Sequence, residues 1–318
     1  MARTRYAPDR GLVARMTMTM FLLGLVFVAL ITALVLILGA AHASSGAIIF
    51  FPVVLGLGLG IGSIFYSDKI ALRTAGAIEV TPQQMPELHG IVDRVCALAD
   101  MPKPRVAYSR AGMPNAFATG RNSNHAVICV TEGLMSRLDN EEIEAVLAHE
   151  MSHVAHRDVT VMTIASFLGI IAALMVRFGF YAELFGGGGG GRGRGGRGNQ
   201  QALPIMLLVM LVGMVVYAIS FLLTRLLSRY RELAADRSGA LLTGRPSKLA
   251  SALTKVSGDM ARIPTKDLRT AEPLNAFFFV PALAGRNGGT SLGTLFSTHP
   301  SLEKRLEQLD KISKQLGQ

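Results

Sequence analysis

The amino-acid sequence predicts a mainly helical α+β protein, anchored in a membrane by two to four transmembrane helices and carrying a small antiparallel sheet. Three observations predict this. Four uncharged apolar runs, residues 16–41, 46–66, 159–176 and 202–223, approach or exceed the ~20 residues that cross a bilayer. Three short β-rich runs lie between the second and third of them. Charged residues make up only 17% of the 318 and apolar residues 50%, against roughly 25% charged in soluble domains.

The composition excludes a disordered chain, which requires low hydrophobicity, and argues against a wholly soluble one. Lysine plus arginine outnumber aspartate plus glutamate by 32 to 22, a net charge of +10. That surplus suits cationic loops beside a membrane as well as it suits a nucleic-acid binder. Cys96 and Cys129 are too few for a disulfide scaffold and lack metal or redox spacing. They read as two buried thiols in a reducing compartment.

The elements follow in order. Arg3, Arg5, Arg10 and Arg15 precede the first apolar run. A cleaved signal would have an apolar core of about 7–15 residues, and residues 16–41 exceed it. A second run follows at once, so 1–66 reads as an N-terminal transmembrane hairpin. Cationic flanks stay in the cytoplasm, which puts the N-terminus inside and returns the chain inside by Asp68, Lys69 and Arg73. Residues 67–158 read as a first soluble α+β part. A helix is expected from Thr81-Pro82, with Leu88, Ile91, Val92, Val95 and Leu98 at helical spacing. Strands are expected at Arg105–Tyr108, Asn115–Ala118 and Ala126–Val130, with turn residues between them.

Residues 159–227 read as a second apolar hairpin. Its two runs are joined by Gly186–Gly198, where every residue is Gly or Arg. Such a segment behaves as a flexible coil, and with three arginines it reads as a linker, not an RNA-binding tail; no nucleic-acid partner is expected. If both runs cross, Arg177, Arg192, Arg194 and Arg197 lie outside, against the positive-inside tendency; the alternative is a partly inserted hairpin. Residues 228–318 read as the second soluble part, with helices near Pro246 and after Pro300.

The chemistry centres on His149-Glu150-Met151-Ser152-His153. Asp139 followed by Glu142 is a capping pattern, and neither Pro nor Gly interrupts Glu141–His156. Residues four apart share a helix face, so His149 and His153 point two imidazoles at one ion. Zinc takes imidazole nitrogens and lowers the pKa of a bound water to about 7. Glu150, about 100° round the axis, projects beside the ion, where it takes the water's proton and passes it to a leaving amine. A catalytic zinc needs a third protein ligand. In Ser228–Asp236, Glu232 and Asp236 are one helical turn apart; one reading makes Glu232 a ligand and Asp236 the partner of a ligand imidazole, the other a salt-bridged surface face.

Together these motifs resemble those of the HtpX-type membrane metalloproteases, relatives of the CAAX prenyl proteases. His149-Glu150-x-x-His153 and Glu232-x-x-x-Asp236 carry the likeness. Asn115-Ala116-Phe117-Ala118, similar to the family's edge-strand motif, and Ser297-Thr298-His299-Pro300 followed by Arg305 extend it over most of the chain.

The resemblance implies a zincin-like protease domain and one Zn2+ per chain, bound by His149, His153 and Glu232. It makes Glu150 the general base and Asp236 the partner of a ligand histidine. His299, supported by Arg305, stabilises the oxyanion, or else caps the final helix. Asn115, Ala116, Phe117 and Ala118 bind the substrate backbone by strand addition. His156 and Asp158 are structural, with Asp158 at the helix end. The implied protein is a multi-pass enzyme of the bacterial cytoplasmic membrane whose site faces the cytoplasm. Its partners are the lipid bilayer and protein or peptide substrates, and its task is quality control of misfolded membrane proteins. The alternatives are a zinc-stabilised scaffold, which would need a fourth protein ligand, and a protease for prenylated tails, whose large chambered members have more apolar runs.

Overall fold

The computed structural model describes residues 10–40, 54, 57–58, 61–62, 65–66, 68–186, 199–262 and 298–318. Most of the run expected to cross at 46–66, nearly all of the Gly/Arg segment, and Ser297 lie outside the described residues. In chain order the principal elements are α1 (Arg10–Ala40), β1 (Ala77–Glu79), α2 (Pro86–Ala99), β2 (Arg105–Ser109), β3 (Ala116–Thr119), β4 (Val127–Thr131), α3 (Asn140–Ala155), α4 (Asp158–Gly186), α5 (Asn199–Thr243), α6 (Pro246–Arg262) and α7 (Leu302–Gln315). They fall into two compact units. One comprises Met1–Met16, Ile64–Val161 and Arg225–Gln318, the other Thr17–Ser63 and Met162–Thr224.

In the first unit, the expected start of α2 at Thr81-Pro82 is corrected to Pro86. Thr81–Met85 forms a turn, its carbonyl at Thr81 accepting from Gln84 N and Met85 N. Pro86, with its fixed φ and no amide hydrogen to lose, opens the helix. Leu88, Ile91, Val92 and Val95 are buried as the periodicity requires, whereas Leu98 falls at the margin of the stripe and is exposed.

The sheet has strand order β1-β2-β4-β3. The expectation of an all-antiparallel sheet is corrected at one pair: β2 and β4 run parallel, while β1–β2 and β3–β4 are antiparallel. The chain leaves β2, builds β3 at the far edge and turns back through residues 120–126, so β4 enters beside β2 in the same direction. β4 is buried along its whole length. Its Ile128 and Val130 join the main core with α2, α3, α6 and α7, while Val127 and Cys129 pack on the other face with Ala71, Ala107 and Phe117.

Helix α3 begins at a full capping box. Asp139 Oδ1 accepts from Glu142 N at 2.8 Å, and Glu142 Oε2 accepts from Asp139 N at 2.9 Å. The other oxygen of Glu142 accepts from Ser251 Oγ of α6 at 2.7 Å, and Lys255 pairs with the same carboxylate. Ile143, Val146, Leu147 and Met151 fill the core beneath it.

In the second unit, α4 and α5 approach closely at Gly213, whose missing side chain leaves room for Val176 Cγ2. Among the described residues, Arg10–Ile37, Asp158–Arg177 and Leu207–Thr243 are long and apolar enough to cross a membrane. Phe21, Val28, Leu36, Leu211 and Val215 are exposed on them, an apolar surface that suits lipid rather than water. The fourth apolar run and the Ser228–Asp236 motif form one continuous helix, α5.

Candidate active site

Two helices of the first unit bring the ionisable residues together. α3 presents His149 and His153 one turn apart, with ring centroids 4.9 Å apart. The C-terminal half of α5 presents Glu232 and Asp236 at the same spacing. His149 Nε2 lies 3.7 Å from Glu232 Oε2, and His153 Nε2 lies 3.5 Å from Glu232 Oε1. One ligand atom from each of the three residues lies within 4.8 Å of the others. A tetrahedral ion with bonds of 2.0–2.1 Å sets its ligand atoms about 3.3 Å apart. Two imidazoles and a carboxylate at these separations therefore fit a metal such as zinc. Burial pushes His153 down to about 4, which keeps its imidazole neutral at pH 7, the form that ligates.

The far side of His149 is also occupied. Its Nδ1 lies 3.0 Å from Asp236 Oδ1. Asp236 is wholly buried and receives a fork from Arg305, Nε to Oδ2 at 2.7 Å and Nη2 to Oδ1 at 2.6 Å. A carboxylate facing Nδ1 in this way is the kind of partner that orients a ligand imidazole. α5 comes this close because of Gly239: a Cβ there would lie 2.9 Å from His149 N and 3.0 Å from its Cα.

Glu150 is buried beside the cluster, with its Oε2 accepting from the Ala118 backbone amide of β3 at 3.2 Å. Burial pushes its carboxyl up to about 7, against the opposing pull of His149. That range suits a group that exchanges a proton near neutrality. His299 Nδ1 lies 3.1 Å from Glu232 Oε2. The capping role considered for His299 belongs to Ser301, whose hydroxyl accepts from Lys304 N at the start of α7. A family model for peptidase family M48 matches residues 82–313, which contain every residue of this site.

The chain belongs to peptidase family M48. It is a membrane metalloendopeptidase acting on peptide substrates in a lipid environment. Its sequence is 55% identical over 316 residues to "Protease HtpX homolog 1" of Streptomyces coelicolor, covering 99% of this chain and 97% of that one. It is 49% identical to "Protease HtpX homolog" of Moorella thermoacetica, over 99% and 98% of the two chains. Identity with "Protease HtpX homolog 2" of Methanosarcina mazei is 48%, over 99% and 100%. Among solved structures, that of S. mikatae Ste24p matches with a TM-score of 0.51 at 17% identity, over 95% of this chain and 67% of that one. At that identity the likeness is one of fold.

Within this M48 frame, His149, Glu150, His153, Glu232, Asp236, His299 and Arg305 converge on one place. Arg305 has a partner the sequence did not assign it, Asp236. Of the expected substrate strand, β3 lies at the sheet edge and Ala118 reaches Glu150. Asn115, Ala116 and Phe117 are buried, and Asn115 is tied to Thr131 of β4 through its backbone amide and carbonyl. Sequence reasoning missed the close approach at Gly239, for which a glycine inside a helical pattern was the available signal. It also missed Arg231 and the contact of Asp158 with His153.

Proposed function

We propose that the protein hydrolyses peptide bonds with one zinc ion per chain, held by His149, His153 and Glu232, and with Glu150 as general base. The observation that carries this reading is the convergence of two imidazole Nε2 atoms on the two oxygens of Glu232, with a buried carboxylate beside them. A zinc ion bound there would supply Lewis acidity and a water acidified to a pKa of about 7. Glu150 takes a proton on its carboxylate and returns it to the departing amine. Asp236 and Arg305 hold His149 in its ligating tautomer. His299, beside Glu232, offers an imidazole N–H to the oxyanion of the tetrahedral intermediate. The outer edge of β3 receives an extended peptide as an added strand, the Ala118 amide passing from Glu150 to the substrate backbone. Recognition through backbone groups reads little sequence, which suits varied substrates.

The enzyme resides in the bacterial cytoplasmic membrane with its site facing the cytoplasm, and it removes misfolded membrane proteins. The HtpX-type resemblance supports this role, and the arginines before the first apolar run support the orientation. Elemental analysis of detergent-purified protein tests the zinc site. Wild type is expected to hold one zinc per chain and Glu232→Ala far less. A wild type that binds no zinc, or a Glu232→Ala variant that binds it equally well, would remove Glu232 from the ligand set.

A further inference from the structure

We propose that Asp158 is the positioning residue of His153 and that Arg231 holds Asp158 in place. The proposal rests on the zinc-site reading above and extends it to residues that reading does not use. Asp158 Oδ2 lies 2.5 Å from His153 Nδ1. Arg231 Nη2 forms an ion pair with the same carboxylate oxygen, and Arg231 Nη1 donates to the Asp158 backbone carbonyl at 2.7 Å. Asp158 and Arg231 are both buried. With Nδ1 donating to Asp158, His153 presents the lone pair of Nε2 toward Glu232 Oε1, 3.5 Å away. The arrangement repeats the one behind His149. There Asp236 faces Nδ1 and Arg305 forks onto Asp236. Each imidazole therefore has its own carboxylate, and each carboxylate its own guanidinium.

The backbone is shaped for this contact. Five residues on an unbroken helix are separated by about 140° around the axis, so Asp158 on a continuation of α3 would face away from His153. α3 instead ends at Ala155, and Arg157 takes the left-handed conformation, φ 55°. Its amide closes the turn by donating to Val154 O at 3.1 Å. A non-glycine residue rarely sits there and is kept there by its surroundings. α4 then starts at Asp158, and its first carboxylate lies against His153. Arg231 directly precedes Glu232 on α5, so the helix that brings the carboxylate ligand also pins the carboxylate behind the second imidazole. Three helices, α3, α4 and α5, are thereby locked to one another within the unit that holds the site. Partners of this kind orient ligand imidazoles and set their tautomer, and losing one lowers metal affinity 10–100-fold.

The test uses the full-length protein in detergent, titrated with zinc against a chromophoric chelator. The visible spectrum of the Co2+-loaded form and the thermal unfolding of the metal-free form are recorded beside it. Asp158→Asn is expected to weaken zinc binding 10–100-fold and to shift the Co2+ bands. Arg231→Gln is expected to weaken binding in the same direction by less, and it carries the test if Asp158→Asn does not fold. A purely structural role would lower the metal-free unfolding temperature and leave affinity and Co2+ bands unchanged. That result, with wild type binding one zinc, would overturn this proposal alone. A wild type that binds no zinc would overturn the zinc-site reading and this proposal with it.

Discussion

At the scale of single residues, the site is a cluster of buried charge, and its behaviour follows from what each charge faces. Removing one member leaves its partner buried and uncompensated, which is costly. Asp236→Asn is therefore expected to do two things: weaken zinc binding 10–100-fold and lower the unfolding temperature, because Arg305 loses the carboxylate it forks. Chelator competition and a thermal melt check both. An unchanged zinc affinity would mean that His149 needs no partner. The two thiols give a contrasting prediction. Burial pushes Cys96 up to about 11 and Cys129 up to about 12. At pH 8 the reactive thiolate is thus a small minority. Alkylation of the folded protein should be slow, rise about tenfold per pH unit toward pH 10, and become fast at pH 8 only after denaturation. Rapid labelling of native protein at pH 8 would contradict the burial of these thiols. The pairs at positions 149/153 and 232/236 were legible in the sequence because helical spacing alone puts four-apart residues on one face. The partner of Arg305 was not legible, because 69 residues separate it from Asp236. Asp158 was hidden for a different reason: helical arithmetic turns it away from His153, and only the left-handed turn at Arg157 brings it back.

At the scale of elements, two features set how accurately the site is built. The capping box at Asp139 starts α3 in register, and Asp139→Ala should destabilise the protein by about 1 kcal/mol, read as a lower unfolding midpoint. Gly239 sets the distance between α5 and α3. In Gly239→Ala the new methyl meets His149 backbone, which cannot step aside as a flexible side chain would. Overpacking of this kind costs about 1–3 kcal/mol, more than the helix propensity gained by alanine, about 1 kcal/mol. Both a lower melting temperature and weaker zinc binding are expected. A variant that is more stable and binds zinc normally would mean that the helices tolerate separation. Helix α3 was fully legible, since cap, periodicity and motif agree. The direction of β4 was not. Period and turn residues mark strands but do not say which strands pair, and β3 lies between β2 and β4 in sequence while standing outside them in the sheet. The unbroken apolar run Val127–Val130 did carry a signal of burial on both faces.

At the scale of the whole molecule, the proposed ligands lie on either side of α4 and the apolar part of α5 in sequence and yet meet within 4.8 Å. An even number of crossings between His153 and Glu232 satisfies this, and an odd number separates the ligands. If α4 and α5 each cross once, a cysteine introduced at Ser247 or Ser301 should react with a membrane-impermeant thiol reagent only from the cytoplasmic side. One introduced between residues 187 and 198 should react only from outside. Labelling of that segment from the cytoplasm would mean that the pair enters the bilayer without crossing it. Membrane character was legible from three of the four apolar runs, which form helices α1, α4 and α5. Their limits were not, because α5 continues without a break from the fourth apolar run through Glu232 and Asp236. The most direct measurement of the proposed mechanism is cleavage of an unfolded, casein-like substrate by the detergent-purified protein. It compares wild type with Glu150→Gln, with zinc content measured in the same samples and a chelator control. We expect zinc-dependent cleavage by wild type, and a Glu150→Gln variant that keeps its zinc but cleaves about 10²–10⁴-fold more slowly. Equal cleavage by the zinc-loaded variant would remove Glu150 from the proton transfer and contradict the mechanism.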